Sequence, residues 1–169
     1  MKQRILFQTL LITCLLFCSF PLAAKIVLPA LFSDNMVLQR RSEAPIWGTA
    51  TPNAEVEIIT SWDKKIHLVK AGSDGSWFVA LRTTQAGGPH FITLSDGAEP
   101  VTLKNVMLGE VWLCSGQSNM EMPLAGWGKV LNYKEEIADA DYPYIRLLKV
   151  KKVASPQPVQ EVQTVGGGW

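Results

Sequence analysis

Short stretches of alternating polar and apolar residues fill the chain from residue 25 to residue 105. Residues 55–60, Glu-Val-Glu-Ile-Ile-Thr, show the pattern most clearly, with the two-residue period of a strand that is buried on one face. The stretches that predict strands in this way lie at residues 55–60, 66–70, 77–81, 91–94 and 101–103. We find no stretch in this region with the periodicity of a helix of useful length.

Turn-forming residues separate these predicted strands at intervals of about 8 to 12 residues, a spacing typical of antiparallel β-sandwiches. Asp74-Gly75 predicts a hairpin-type turn, Asp96-Gly97 predicts a second turn, and Gly87-Gly88-Pro89 predicts a break in the chain. We therefore predict that residues 25–105 form an antiparallel β-sandwich domain at the N-terminal end of the fold.

The pattern changes at about residue 106. Residues 111–114, Val-Trp-Leu-Cys, form a continuous apolar run, as expected for a strand covered on both faces in a parallel sheet. Asn132, with Glu135 three residues later, predicts the capped start of a short helix, and residues 144–150 predict a second apolar strand. Strand, helix and strand in this order open a parallel α/β sheet. We predict that residues 106–169 are the incomplete start of an α/β domain, and that the sequence is the N-terminal piece of a longer protein.

The first 24 residues have a different composition from the rest. Lys2 and Arg4 precede an apolar run of about 16 residues, and Pro-Leu-Ala-Ala follows it. This is the pattern of a secretory signal peptide, and the run is shorter than the roughly 20 residues that span a bilayer. We predict that residues 1–24 are cleaved and that the protein is exported to the periplasm or outside the cell, with no stable membrane anchor left. An uncleaved anchor is the alternative.

Charge and cysteine content exclude several classes of partner and site. The net charge is +1, without a basic block, which argues against nucleic acid or an anionic membrane surface as the main partner. Cys14 and Cys18 lie in the predicted signal peptide, so Cys114 is the only mature cysteine and no intrachain disulfide can form. Only two histidines are present, far apart in sequence, so we predict no metal and no other cofactor. The oligomeric state is not indicated.

A cluster of small polar residues, Ser-Gly-Gln-Ser-Asn at 115–119, follows the apolar run. In a parallel α/β sheet, ligands bind beyond the carboxyl ends of the strands, and a serine there exposes its hydroxyl among backbone N–H groups. Gly116 would let the chain turn tightly, although the spacing is not the Gly-x-Ser-x-Gly of a nucleophile elbow. A polar loop serine that caps a turn is the alternative for Ser118.

Residues 109–123, Gly-Glu-Val-Trp-Leu-Cys-Ser-Gly-Gln-Ser-Asn-Met-Glu-Met-Pro, resemble the nucleophile block of the sialate O-acetylesterases, a branch of the SGNH/GDSL hydrolase superfamily. Four further blocks resemble that family in the same order, at residues 31–40, 45–48, 74–77 and 86–90. The resemblance implies a β-sandwich packed on an SGNH-type catalytic domain. It also implies a serine esterase that removes O-acetyl groups from sialic acids or related sugars, with an acetylated sugar or sialoglycan as its substrate.

The resemblance also implies roles for particular residues. Ser118 would be the nucleophile, and its backbone N–H, together with Gln117, would contribute to the oxyanion hole. The family's Asp-x-x-His motif is absent from this sequence, so we predict that this chain is inactive alone. His67 and His90 lie in the predicted sandwich, and we predict that neither is the catalytic base.

Two alternatives remain open at this point. One is a non-catalytic β-sandwich module that binds a glycan or a partner, and the other is an acetylxylan-type esterase. Among the tryptophans, Trp77 is predicted in the core, Trp62 is the best candidate for an exposed sugar-stacking ring, and Trp127 is a candidate to line the substrate site. Cys114 is predicted to be a small buried core residue.

Overall fold

The computed structural model describes residues 25–125, 130–159 and 161–169. The predicted signal peptide, residues 1–24, and Trp127 lie outside these described residues. The strands in chain order are β1 Val37–Gln39, β2 Glu43–Thr49, β3 Glu55–Thr60, β4 Ile66–Lys70, β5 Ser76–Arg82, β6 Gly87–Ser95 and β7 Val101–Gly109. A 3₁₀ helix, Ser118–Glu121, and an α-helix, α1 Tyr133–Ala138, follow them. No helix within the described ranges is long and apolar enough to cross a membrane.

The strands form two sheets. Five strands lie in the order β1-β7-β6-β3-β4, and β2 pairs with β5 in a second, antiparallel sheet. Strand β1 runs parallel to β7, whereas the other pairs of the large sheet are antiparallel. The prediction of a purely antiparallel arrangement is therefore wrong at this edge. Strand β1 has only three residues, which is too short for its period to be recognised in the sequence.

Both sheets contribute side chains to one buried cluster. Ile46 of β2 and Leu81 of β5 are fully buried together with Ile58 of β3 and Leu94 of β6. Removing each such side chain from water stabilises the fold by about 1.5–3 kcal/mol. Trp77 belongs to the same cluster, which confirms its predicted place in the core. The structure therefore shows a β-rich fold with a mixed sheet, and the division into a sandwich and a second domain stays a prediction.

The turn at Asp74-Gly75 forms, but it is not the predicted hairpin. Gly75 has a φ of +82°, and Asp74 accepts hydrogen bonds from the backbone N–H and the hydroxyl of Ser76 at 3.0 and 2.7 Å. The strands on either side do not pair, because β4 pairs with β3 and β5 pairs with β2. The turn therefore carries the chain from one sheet to the other.

The predicted break at residues 87–89 is also wrong, because β6 begins at Gly87. Two shifts of register, on either side of His90, absorb the irregularity between β6 and β7. Gly88 has a φ of +144°, and a Cβ there would lie 2.5 Å from Met107 Sδ, so this position requires glycine. The glycine pair thus marks a bulged strand and not a break.

The predicted strand–helix–strand unit is formed only in its helix. Residues 111–114 are not a strand, and residues 144–150 contribute only the isolated bridge between Val150 and Thr164. Leu113 and Leu147 are 95% and 82% exposed. A strand requires a hydrogen-bonded neighbour, and within the described residues neither run pairs with a strand of either sheet. The apolar pattern therefore predicted burial that these residues do not achieve.

The capping prediction for α1 is wrong in its geometry. Asn132 adopts a left-handed backbone conformation with a φ of +57° and makes no side-chain hydrogen bond to the backbone of the first turn. Its side-chain amide instead donates to Glu136 Oε1 at 2.8 Å. The helix nevertheless begins at the predicted place.

The segment after α1 is tied back to the sheets at two places. The Arg146 guanidinium donates to the backbone carbonyls of Asn35 and Asn105 and, at 3.0 Å, to Asn105 Oδ1. The Trp169 indole N–H donates to the Leu31 carbonyl at 2.9 Å, and its ring packs against the core. Residues 130–159 and 161–169 are therefore anchored to the β-rich part although they add no strand to it.

Candidate active site

The parallel pair β1 and β7 brings together two sequence blocks that lie far apart in the chain. Gln39, the last residue of β1, is the register partner of Gly109, the last residue of β7. Immediately beyond the strands, the Arg40 backbone N–H donates to the Gly109 carbonyl at 2.9 Å. The 31–40 block therefore lies beside the point at which the chain leaves β7 toward Ser118.

Polar side chains continue this contact past the ends of the strands. The Gln39 amide donates to Glu110 Oε2 at 2.8 Å, and its oxygen accepts the Val111 backbone N–H at 2.9 Å. The Arg40 guanidinium donates to Glu110 Oε1 at 2.6 Å. The hydrogen bonds from Gln39 and Arg40 hold the pKa of the exposed Glu110 carboxyl below its ordinary value. We call Gln39, Arg40, Glu110 and Val111 the strand-exit clamp.

The chain beyond the clamp, residues 112–117, has no regular secondary structure and is exposed. Trp112 is 82% exposed, and Cys114 is an exposed free thiol. The prediction that Cys114 is a buried core residue is therefore wrong, for the same reason that the predicted strand is not formed. An apolar run is buried only when a second surface covers it, and the sequence indicates the run but not the surface.

Ser118 begins the 3₁₀ helix at the end of this loop. The Met120 N–H donates to the Gln117 carbonyl at 3.0 Å, and Ser118 is exposed. Among the described residues, neither the Ser118 hydroxyl nor its backbone N–H makes a hydrogen bond within the chain. An exposed hydroxyl with a free N–H in the first turn can both attack an ester and donate to the resulting oxyanion.

The glycine at position 116 is explained by packing and not by the predicted tight turn. Its φ is not in the left-handed region, so the turn itself does not require glycine. A Cβ at this position would lie 2.8 Å from Met120 Cγ, closer than carbon atoms pack. Glycine therefore lets the loop lie against the side chain of the 3₁₀ helix. Gln117 precedes the 3₁₀ helix with a φ of −99° and a ψ of −147°, and it supplies the first carbonyl of the turn.

The two histidines lie in the β-rich part, and within the described residues neither hydrogen-bonds Ser118. His67 is on β4, at the register position opposite Ile58. His90 Nδ1 lies 3.3 Å from Ser61 Oγ, and burial lowers the pKa of the His90 ring. No group of three acidic, histidine or cysteine side chains in the described part of the chain could hold a metal ion.

Trp62 is not the exposed platform that the sequence suggested. Its indole N–H donates to the Arg82 carbonyl at 3.1 Å, and its ring packs partly against the core. The edge of the ring also meets His90, with ring centroids 5.7 Å apart. These contacts give Trp62 a packing role in this structure.

The last residue of the 3₁₀ helix, Glu121, forms an ion pair with Lys152. The sequence pointed to Ser118 and Gln117 as candidates but did not indicate the hydrogen bonds of Gln39 and Arg40 to Glu110. The only sequence signal for them was two consecutive polar residues at the end of the 31–40 block. Their partner, Glu110, became evident only when the structure gave the register of β1 on β7.

Comparison with curated proteins finds that the chain is similar to sialate O-acetylesterases. The human and mouse sialate O-acetylesterases are 34% and 35% identical to this chain over 148 and 152 residues. The matched regions comprise 81% and 83% of this chain but only 28% and 27% of those enzymes. The chain thus spans little more than a quarter of the length of these relatives.

Comparison with solved structures finds a similar protein that is also an esterase. A carbohydrate acetylesterase from Xanthomonas citri superposes with a TM-score of 0.74 at 33% sequence identity. The match covers 85% of this chain and 33% of that protein. No protein-family model matches the chain.

Proposed function

Because this chain belongs to the sialate O-acetylesterase family, we propose that it carries the nucleophile of an exported esterase that removes O-acetyl groups from sialic acids or related sugars. The relatives support esterase activity on acetylated sugars. Their names are those of whole proteins, of which this chain matches about a third or less.

Ser118 is the proposed nucleophile. A histidine base takes the proton from its hydroxyl, and the oxygen attacks the acetyl carbonyl to form a tetrahedral oxyanion. Collapse of this intermediate releases the sugar hydroxyl and leaves an acetyl-serine, which water then hydrolyses to acetate. The Ser118 N–H donates to the oxyanion, and Gln117 assists it. The exposure of Ser118 supports this role, and so does the fact that neither its hydroxyl nor its backbone N–H is hydrogen-bonded among the described residues.

The base and its orienting acid are proposed to belong to an SGNH-type α/β domain that residues 106–169 begin. Residues 25–105 would form the β-sandwich that packs against it. The exposed apolar side chains of residues 111–113 and 144–147 agree with a surface that such a domain would cover. We therefore expect this 169-residue chain to release no acetate by itself.

Acetylated carbohydrates without sialic acid are a second candidate substrate class. The Xanthomonas citri relative favours them, because it is named a carbohydrate acetylesterase without reference to sialic acid. Acetylated xylan and other acetylated glycans are the corresponding substrates to compare. A non-catalytic glycan-binding module would bind such sugars without releasing acetate.

Release of acetate by the complete gene product tests the proposal. We expect release from an O-acetylated sialic acid or another acetylated sugar, and loss of at least about a thousandfold in Ser118→Ala. Ser115→Ala is the matched control, because it removes a neighbouring loop hydroxyl and should retain activity. Unchanged turnover in Ser118→Ala would refute the nucleophile. Fractionation of the producing cells tests export, which we expect because of residues 1–24.

A further inference from the structure

We propose that Gln39 is a positioning residue for the nucleophile, because its side-chain amide fixes the direction in which the chain leaves β7 toward Ser118. The inference rests on the proposed role of Ser118. It adds a residue from the β-rich part to the requirements of the reaction.

The hydrogen bonds between β1 and β7 establish a pattern that is broken at Val111. The Met107 N–H donates to the Met36 carbonyl at 3.0 Å. Four residues later, the same parallel pattern would have Val111 donate to the Arg40 carbonyl. The Val111 N–H instead donates to Gln39 Oε1 at 2.9 Å. A side-chain amide therefore takes the place of a backbone carbonyl in the ladder.

The path of the chain explains why a side-chain amide takes the place of the backbone carbonyl. Arg41 has a φ of +48°, and its N–H donates to the Thr84 carbonyl at 2.8 Å. The backbone therefore turns away from β7 and toward the end of β5 immediately after Arg40. The Arg40 carbonyl therefore does not continue the ladder, and the Gln39 side chain supplies the acceptor for Val111 instead.

The Gln39 amide is held in one orientation by its two partners. Its oxygen accepts from Val111, and its nitrogen donates to Glu110 Oε2 at 2.8 Å. A flipped amide would place two donors face to face at Val111 and two acceptors face to face at Glu110. The Arg40 guanidinium, on the other Glu110 oxygen, holds the carboxylate in place.

The backbone of Gln39 is fixed as firmly as its side chain. Its carbonyl accepts hydrogen bonds from Thr83 Oγ1 at 2.7 Å and from Ser42 Oγ at 2.8 Å. Thr83 is buried and follows β5 of the second sheet directly. Gln39 therefore links the core of both sheets to the start of the nucleophile loop.

Val111 is the last fixed point before the nucleophile. Among the described residues, none of residues 112–116 makes a hydrogen bond, and the next one is donated by the Met120 N–H to the Gln117 carbonyl. The direction of the loop is therefore set at Val111 and held beyond the loop by the 3₁₀ helix. A shift of about 1 Å in a reacting group can lower the rate by about 100-fold.

A double variant that exchanges the donor at position 39 and the acceptor at position 110 tests the positioning role of Gln39 without changing the total charge. Gln39→Glu places a carboxylate against Glu110 at about pH 7.5, where both groups ionise. Gln39→Glu combined with Glu110→Gln restores every hydrogen bond with the polarity of the pair reversed. For acetate release by the complete gene product, we expect kcat to fall about tenfold or more in the single variant, with KM within about twofold. In the double variant we expect recovery to within about threefold of the wild-type kcat.

Hydrogen exchange of the Val111 amide, measured by NMR in a Ser118→Ala background, reports the clamp without reference to catalysis. We expect Gln39→Glu to lose the protection of this amide and the double variant to regain it. An unchanged kcat in Gln39→Glu would overturn the proposal, as would a double variant that regains protection but not kcat. Absence of acetate release from the wild-type protein would refute the proposed function instead, and the exchange data would still test the clamp.

Discussion

Gly48 is a position at which a small substitution should have a large structural effect. It lies on β2, and a Cβ at this position would be 2.4 Å from the Val27 carbonyl oxygen and 3.1 Å from Trp77 Cζ2. Carbon atoms in protein interiors pack at about 3.5–4.0 Å, so Gly48→Ala must displace the Val27 backbone.

The cost of this displacement can be worked out from the contacts. Two hydrogen bonds, both of 2.9 Å, join the backbones of Val27 and Thr49, and each contributes about 0.5–1.5 kcal/mol. Overpacking against Trp77 costs about 1–3 kcal/mol more. Replacing a strand glycine by alanine returns about 0.5–1 kcal/mol. We therefore expect Gly48→Ala to lower the free energy of unfolding by about 3 kcal/mol.

Urea unfolding followed by tryptophan fluorescence measures this effect. With a slope of about 2 kcal/mol per molar urea, the midpoint should fall by about 1.5 M. Gly87→Ala is the matched control, because nothing lies within 4 Å of a Cβ there, and its stability should stay within about 0.5 kcal/mol of wild type. Equal midpoints for Gly48→Ala and the wild-type chain would refute the reasoning, as would equal destabilisation by both substitutions.

Three further predictions concern other parts of the chain. Ile58→Ala should cost about 2–5 kcal/mol in urea unfolding, whereas Ile66→Ala on the exposed face should stay within about 0.5 kcal/mol. Because burial lowers the pKa of His90 in the folded state, its contribution to stability is complete above the ordinary value of 6.5 and declines as the pH falls below it. Unfolding measured from about pH 7.5 to about pH 5.5 should show this loss in the wild-type chain, and His90→Gln should reduce it. Arg146→Ala should speed proteolysis after α1 about tenfold, whereas Lys149→Ala should not, and equal rates in the two would count against the Arg146 anchor.

The elements that could be predicted are those whose signals are local. Strand β3 has the bounds that its two-residue period predicted, because the alternation ends at turn residues on both sides. The pairing of β1 with β7 could not be predicted in this way. It joins three-residue β1 to a strand about seventy positions later, and no periodicity within either segment specifies such a partner.

The strand predictions that failed assumed a neighbouring surface that would cover the apolar run. The hydrophobic pattern implies such a surface but does not show that one is present. Residues 111–114 have the composition of a buried strand, yet Trp112 and Leu113 are exposed because nothing described covers them. Hydrophobic periodicity reports what a segment would bury and not whether a partner is present. The same reasoning explains Cys114, which is exposed because its predicted strand is not formed.

The candidate site divides in a similar way. Ser118 could be proposed as the nucleophile from the resemblance of residues 109–123 to the nucleophile block of the sialate O-acetylesterases, whereas the polar loop alone left a turn-capping serine open. Gln39 could not, because its function depends on which backbone carbonyl is missing from the ladder. Only the register of β1 on β7, together with the turn at Arg41, makes that carbonyl identifiable.

Ser118 as the nucleophile is tested most directly by trapping the acetyl-enzyme. The complete gene product is mixed with an O-acetylated sialic acid, quenched in acid before turnover is complete, and digested for peptide mass spectrometry. We expect one acetyl group on Ser118, and none on the corresponding peptide of Ser118→Ala. Acetate release with the acetyl group on Ser115, or on no serine of this loop, would contradict the assignment.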